Sequence, residues 1–199
     1  AANREKNQFN FRLAYDYIYS PKARAEFGVS LQYGQVHNSE TNQNGDHYAA
    51  AIHIEGNYNA WHIKLAAMRY EYHLENPLGD SEDIVIIGAF DFAFQVAAKA
   101  TLYETTIGYS ISLNKSGTKT VMPYVEYGIM LKDKSNWDDT QFLALGAVWN
   151  FGRFYIYSDF YYAQGHPYIG PDTFLTGFSS GSGNSDWHSR VNINFSYSF

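Results

Sequence analysis

In the stretch "QFNFRLAYDYIYS", Arg12 and Asp16 fall at even positions, between Phe9, Phe11, Leu13, Tyr15, Tyr17 and Tyr19 at odd ones. The same placement of an ionisable residue inside an apolar alternation recurs along the chain. It holds for Arg24 and Glu26, Glu55, His62 and Lys64, Glu104, Glu126, Asp159, and Arg190. Groups spread this way do not converge on one reacting atom as an acid–base pair must. They line a wall. A ring of one sign would select ions by charge. A mixed set such as this one gives a transverse field across hydrated space, or pairs that brace the wall.

Two other chemistries are weighed against this. "SDWHS" gathers Ser185, Asp186, His188 and Ser189, which with His166 fall near the outer end of the last hairpin. A barrel enzyme, a protease or lipid hydrolase with its site at the extracellular rim, would need a nucleophile and a base within hydrogen-bond reach. No nucleophile motif stands out, so no catalytic residue is assigned and a non-enzyme is expected. Metal ligation by His47 and His53 fails on spacing, because three i,i+2 steps of a strand separate them. Without Cys there is no thiolate site either, and neither metal nor cofactor is expected.

The elements that would position the ionisable groups follow from periodicity. The final run, "WHSRVNINFSYSF", alternates Trp187, Ser189, Val191, Ile193, Phe195, Tyr197 and Phe199 with His188, Arg190, Asn192, Asn194, Ser196 and Ser198. Period-two alternation is the mark of a strand with two unlike faces. Similar runs predict nine antiparallel strands near 8–20, 23–36, 47–58, 60–74, 101–114, 120–132, 140–151, 153–164 and 187–199. Pro123 cannot donate to a ladder, which predicts a bulge or strand start there. Connections alternate between short ("PK", "NYNA", "NKSGTK", "GR") and long polar ones such as "HNSETNQNGD" and "KDKSNWDDT".

Composition narrows the class. The 199 residues carry net charge −6 and 18% aromatic residues, 18 of them Tyr. Acidity argues against nucleic acid, which calls for a basic patch. The mean hydropathy of −0.38 and the lack of an apolar run near ~20 residues exclude a membrane-spanning helix. Alternating strands with one trimmed and one elaborated end are the signature of a transmembrane β-barrel. A soluble sandwich or lipocalin-like barrel also alternates. There the polar set would be rich in Lys and Glu, whereas here it is rich in Ser, Gly, Thr and Asn, with Tyr and Trp near strand ends. The reading is an all-β antiparallel transmembrane barrel over residues 1–199 in a bacterial outer membrane. Lipid and lipopolysaccharide would lie outside it and small hydrophilic solutes or ions inside.

Residues 76–100, "NPLGDSEDIVIIGAFDFAFQVAAKA", break the rhythm. The segment is too long for an ordinary connection and too apolar for disorder. It is expected to fold into the lumen as an extracellular constriction, with Asp91 and Lys99 narrowing the path. The competing expectation is that 84–96 is a further wall strand.

The terminal Phe199, with aromatics at alternate positions behind it, resembles the C-terminal strand of bacterial outer-membrane barrels. A narrower resemblance is carried by "IVIIGAFDFAFQVAAKATLYETTIGYSISL", "YIYSDFYYAQGHPYIGPD" and "DWHSRVNINFSYSF", which are similar to the C-terminal part of phosphate-selective porins (O and P type). That resemblance implies a large porin barrel, commonly a homotrimer, passing small anions. The family's arginine ladder and lysine clusters are not matched here, so phosphate selectivity does not carry over.

Counting gives a last expectation. With short turns periplasmic and Phe199 at the periplasmic end, an odd number of strands leaves the N-terminus outside. Bacterial single-chain barrels normally have an even number. The chain is therefore expected to be the C-terminal portion of a longer barrel whose upstream strands complete the wall.

Overall fold

The computed structural model describes residues 3–89, 92–170, 174–181 and 186–199. Among these residues there is no helix; the chain is a run of antiparallel strands. They are β1 (Asn3–Ser20), β2 (Ala23–Asn38), β3 (Gln43–Tyr58), β4 (Trp61–His73), β5 (Ile84–Ala89), β6 (Phe92–Ala97), β7 (Lys99–Tyr109), β8 (Ile111–Ser112), β9 (Lys119–Lys132), β10 (Thr140–Phe151), β11 (Phe154–Gln164) and β12 (Trp187–Tyr197). The main sheet is a meander in the order β1-β2-β3-β4-β7-β9-β10-β11-β12, with β8 paired to β9. The hairpin β5–β6 forms its own two-stranded sheet. β1 and β12 are the two ends of the main sheet, which is not closed.

Proline explains why β7 and β8 are separate. Gly108 pairs with Tyr124 and Ile111 with Val121, so the break faces Pro123, which has no N–H to give. Ser110 instead donates its backbone N–H to Ala60 at 2.8 Å. On its other side Pro123 stays in register with Ala147. The predicted irregularity thus falls in the neighbouring strand, not in the one that carries the proline.

Register fixes the faces. Leu13, Val29, Ile52 and Ala67 stand side by side across β1–β4, as do Ile63, Ile107, Val125, Leu145, Phe160 and Val191 across β4–β12. Among the described residues nothing packs on this apolar face: Phe9, Leu13, Ile52, Val125 and Phe195 are all exposed. The small buried core lies on the opposite face, at the long-loop end. One cluster joins Val36, Leu74, Val85 and Ala98; a second joins Ala97, Ala100 and Met130 with Tyr70, Trp137 and Phe178 around them.

Two segments depart from the sequence reading. The polar stretch 37–46 is mostly strand, because β2 and β3 continue to Asn38 and from Gln43 around a tight turn. The Asn38 side chain builds that turn by accepting from the N–H groups of Glu40 (2.9 Å) and Thr41 (3.1 Å). Residues 84–97 form neither an irregular loop nor a wall strand. They are a hairpin whose ends meet where Ala98 donates to the Asp83 carbonyl at 2.7 Å.

Candidate functional site: the polar face of the sheet

The polar face has two zones along the strands. Toward the short turns it carries the ionisable residues singled out above, in lateral rows. One row runs Asp16, Glu26, Glu55, Lys64, Thr106, Glu126, Ala144, Tyr161 and Arg190. A neighbouring row holds Arg24, His62 and, beyond Gly108, Tyr124 and Gly146, Asp159 and Asn192. Arg12 and Glu104 stand on the same face one or two rows further up. All the residues expected to share a face therefore do share one.

Charge pairing is lopsided across this surface. On β1–β4 the charges are matched: Arg12 to Glu26 at 2.7 Å, Arg24 to Asp16 at 2.7 Å, and Lys64 to Glu55 at 3.4 Å. His53 bridges to the same Glu26 oxygen at 2.9 Å. These pairs are largely exposed, so they orient side chains more than they stabilise the fold. On β7–β11, Glu104 and Glu126 make no ion pair among the described residues. Asp159 is buried and held by the phenols of Tyr124 (2.6 Å) and Tyr161 (3.0 Å), with Asn192 at 3.5 Å. A cleft of about 350 Å³ opens between the two halves, lined by Arg12, Ser30, His53, Lys64 and Glu104.

Glycines make room for the larger rings on this face. The His53 imidazole lies over Gly28, its cross-strand partner, and the Tyr124 ring lies over Gly146. A Cβ at either glycine would overlap the ring where it lies, so a side chain there requires the ring to move. This packing was not legible from alternation alone, although a glycine opposite an aromatic ring is its sequence trace.

Toward the long loops the polar face becomes apolar and is covered. Hairpin β5–β6 lies across it, with the Tyr70 hydroxyl donating to the Ala97 carbonyl at 3.0 Å. The connection after β11 meets the hairpin from the other side. Gln95 and Ala97 donate backbone N–H groups to Leu175 (2.9 Å) and Phe178 (2.8 Å). Phe94 packs edge-on to Tyr168 and tilted against Phe174. Buried Lys132 ties the assembly down, its ammonium donating to the carbonyls of Asp138 and Gly177. Asn3, Asn38 and Asn76 interlock their amides at 2.9–3.0 Å where the hairpin segment leaves β4. The Arg190 guanidinium donates to the Tyr168 carbonyl at 3.1 Å. Together the two segments form a cover over the long-loop end of the polar face.

Of the two residues expected to narrow the path, Asp91 lies outside the described residues. Lys99 belongs elsewhere: it opens β7, pairs with Glu71 in register, and sets its ammonium 3.4 Å from that carboxylate. That places it on the apolar face, in a charged belt with Arg69, Asp133, His73 and Asp46, not among the hairpin residues. His188 and Ser189 point to opposite faces of β12, and Ser185 lies outside the described residues. His188 rests against Gly170, and Trp187 stacks on Tyr162 at 4.8 Å. Among the described residues no group of His, Asp and Glu has the arrangement to hold a metal ion.

His166 gives the cover a pH dependence. Its ring stacks on Phe142 and meets Tyr168 and Phe178, and burial pushes its pKa down to about 4. A histidine held below its free value of ~6.5 favours the released state once protons are available. Docking of residues 165–170 and 174–181 is therefore fully retained above about pH 6.5 and weakens as pH falls toward 4, by up to about tenfold per unit. Hydrogen exchange at the Gln95 and Ala97 amides should report this, with the pH-dependent part absent in His166→Phe. Equal pH profiles for the two proteins would contradict it.

No family model, curated protein or solved structure matches this chain.

Proposed function

We propose that this chain builds the wall of an outer-membrane β-barrel whose polar face lines a water-filled channel. Ions and small hydrophilic solutes would pass through it by passive diffusion. The observation that supports this most is the split between faces. From the short turns up to its charged belt, one face of the main sheet is apolar and, among the described residues, uncovered, with large side chains exposed from β1 to β12, whereas soluble monomers keep such patches to about a few hundred Å². The other carries hydrated ion pairs and amides. A bilayer accounts for the first and a lumen for the second. Aromatic pairs at the short-turn end, Trp61 with Tyr109 and Phe154 with Tyr197, stand where an interfacial girdle would lie. Lipid and lipopolysaccharide are then the partners of the apolar face.

One observation favours a second reading, a barrel with a plugged lumen serving a structural or adhesive role: the cover occupies the long-loop end of the polar face. Conductance in planar bilayers separates the two. For a diffusion channel, discrete conducting steps are expected. Arg12→Glu and Arg190→Glu should each move the reversal potential toward cation preference, because both guanidiniums stand on the lumen side. Conducting steps with unchanged reversal potentials would take both residues out of the pathway. An absence of steps would favour the plug.

A further inference from the structure

The hairpin β5–β6 has two outer edges, and the chain itself fills one of them. In an antiparallel pair, facing residues alternate between exchanging two hydrogen bonds and exchanging none. Ala98 donates to the Asp83 carbonyl at 2.7 Å, so Val85 and its partner Val96 also bond across the hairpin. Ile84 and Ile86 fall between these positions, opposite Ala97 and Gln95. All four therefore turn their backbone N–H and C=O groups away from the hairpin. On the β6 side these groups are used. Gln95 and Ala97 donate to Leu175 (2.9 Å) and Phe178 (2.8 Å), and Val96 forms a parallel bridge with Phe178. On the β5 side, no backbone group pairs with the outward groups of Ile84 and Ile86 among the described residues.

A cleft of about 320 Å³ lies beside this open edge. Ile84 and Ile86 form one wall, Pro77 and Asp80 come from the segment leading into the hairpin, and Asn3 and Glu40 face them from the tips of the long strands. The cleft is braced. The amides of Asn3, Asn38 and Asn76 interlock at 2.9–3.0 Å, and Asn76 also donates to the Ser81 carbonyl at 2.8 Å. This ties the far wall to the root of the hairpin. The Ile86 side chain is exposed. Glu40 and Asp80 make no ion pair among the described residues, which leaves the cleft acidic.

We infer that the open edge of β5 is a docking site for an extended cationic peptide of another molecule, which adds a third strand to the hairpin. The edge selects the conformation. A strand presents backbone groups that match those of Ile84 and Ile86, whereas a helix has already bonded its own. The sister edge shows that this hairpin binds backbone in this way. Charge selects the side chains, because Lys or Arg on the added strand would meet Glu40 and Asp80. The inference stands apart from the channel reading, since it uses only the hairpin and the residues that face it.

The probe is a capped eight-residue peptide alternating Val and Lys, added to the full chain in a neutral detergent. In the free protein the Ile84 and Ile86 amides should exchange fast while those of Gln95 and Ala97 are protected. Saturating peptide should slow the first pair by about tenfold or more, the effect of new backbone hydrogen bonds, and leave the second pair unchanged. A peptide methylated at every backbone nitrogen keeps the charges and side chains but cannot pair as a strand, so it should bind about tenfold more weakly or worse. Ile86→Pro removes an outward N–H while sparing the pairing with β6, and should weaken the parent peptide similarly. Asp80→Asn combined with Glu40→Gln should weaken it severalfold. Equal binding of the methylated peptide would mean that charge alone holds it, and would overturn the inference. So would protected Ile84 and Ile86 amides in the free protein, or exchange there that the parent peptide leaves unchanged. Both of these readouts use the unsubstituted protein, so they decide the matter even if a variant misfolds. Undiminished binding to the Asp80→Asn, Glu40→Gln protein would overturn the cationic assignment.

Discussion

Arginine in place of Val125 is expected to destabilise the membrane-inserted protein by about 2–4 kcal/mol, the loss found for cationic residues on the lipid face near the bilayer midplane. Val125 stands midway along β9, beside Ile107 and Leu145, and is 47% exposed. The size of the effect discriminates between environments. An exposed position on a water-soluble sheet tolerates such a change within about 0.5 kcal/mol. In lipid the guanidinium must be desolvated or must distort the bilayer to reach water. Glu126→Arg, one residue further on and facing the other way, changes charge on the polar face and should cost far less. Denaturant titration of the protein folded into lipid vesicles measures both. A loss below about 0.5 kcal/mol at Val125 would mean that water covers the apolar face.

The second large effect concerns the cover. Because Asp83 and Ala98 already meet through a backbone hydrogen bond, residues 84–97 can be removed by joining these two without stretching the connection. The deletion removes Phe94 from its cluster with Tyr168 and Phe174, and it frees the carbonyls of Leu175 and Phe178. Single-channel conductance should rise severalfold, as the hairpin no longer lies across the polar face. Current noise should rise too, because residues 174–181 lose their hydrogen-bonded partner. An unchanged conductance would place the ion path away from the hairpin.

Periodicity made the wall legible. Strict alternation in "QFNFRLAYDYIYS" and "WHSRVNINFSYSF" predicts both faces of β1 and β12, and the nine predicted wall strands are the nine steps of the meander. The ionisable residues on the polar face were legible for the same reason, since a period of two leaves no freedom of facing once one residue is placed. Beyond the wall, alternation stops being informative. In β5 and β6 apolar residues stand on both sides, Val85 and Phe94 buried and Ile86 exposed, so their sequence lacks the two-faced beat, and nothing local distinguishes a hairpin on the sheet from a strand in it. The docking of β6 against residues 175–178 is a contact between distant parts of the chain. Lys99 was misplaced because a residue next to a strand boundary takes its facing from register, which only the pairing with Glu71 fixes. The stretch 37–46 read as a loop because Asn and Gly favour turns. Here most of that polar run extends the β2–β3 hairpin beyond its neighbours, where no apolar face is required.

The central claim, that one face of this sheet meets lipid and the other water, is tested most directly by spin labels placed one at a time along β9 from Tyr124 to Ile129. Collision with oxygen, which concentrates in the bilayer, and with a water-soluble nickel complex is then measured for each label. The account predicts two period-two profiles out of phase: oxygen maxima at Val125, Tyr127 and Ile129, and nickel maxima at Tyr124, Glu126 and Gly128. Nickel accessibility at Val125 and Tyr127 equal to that at Glu126 would contradict it.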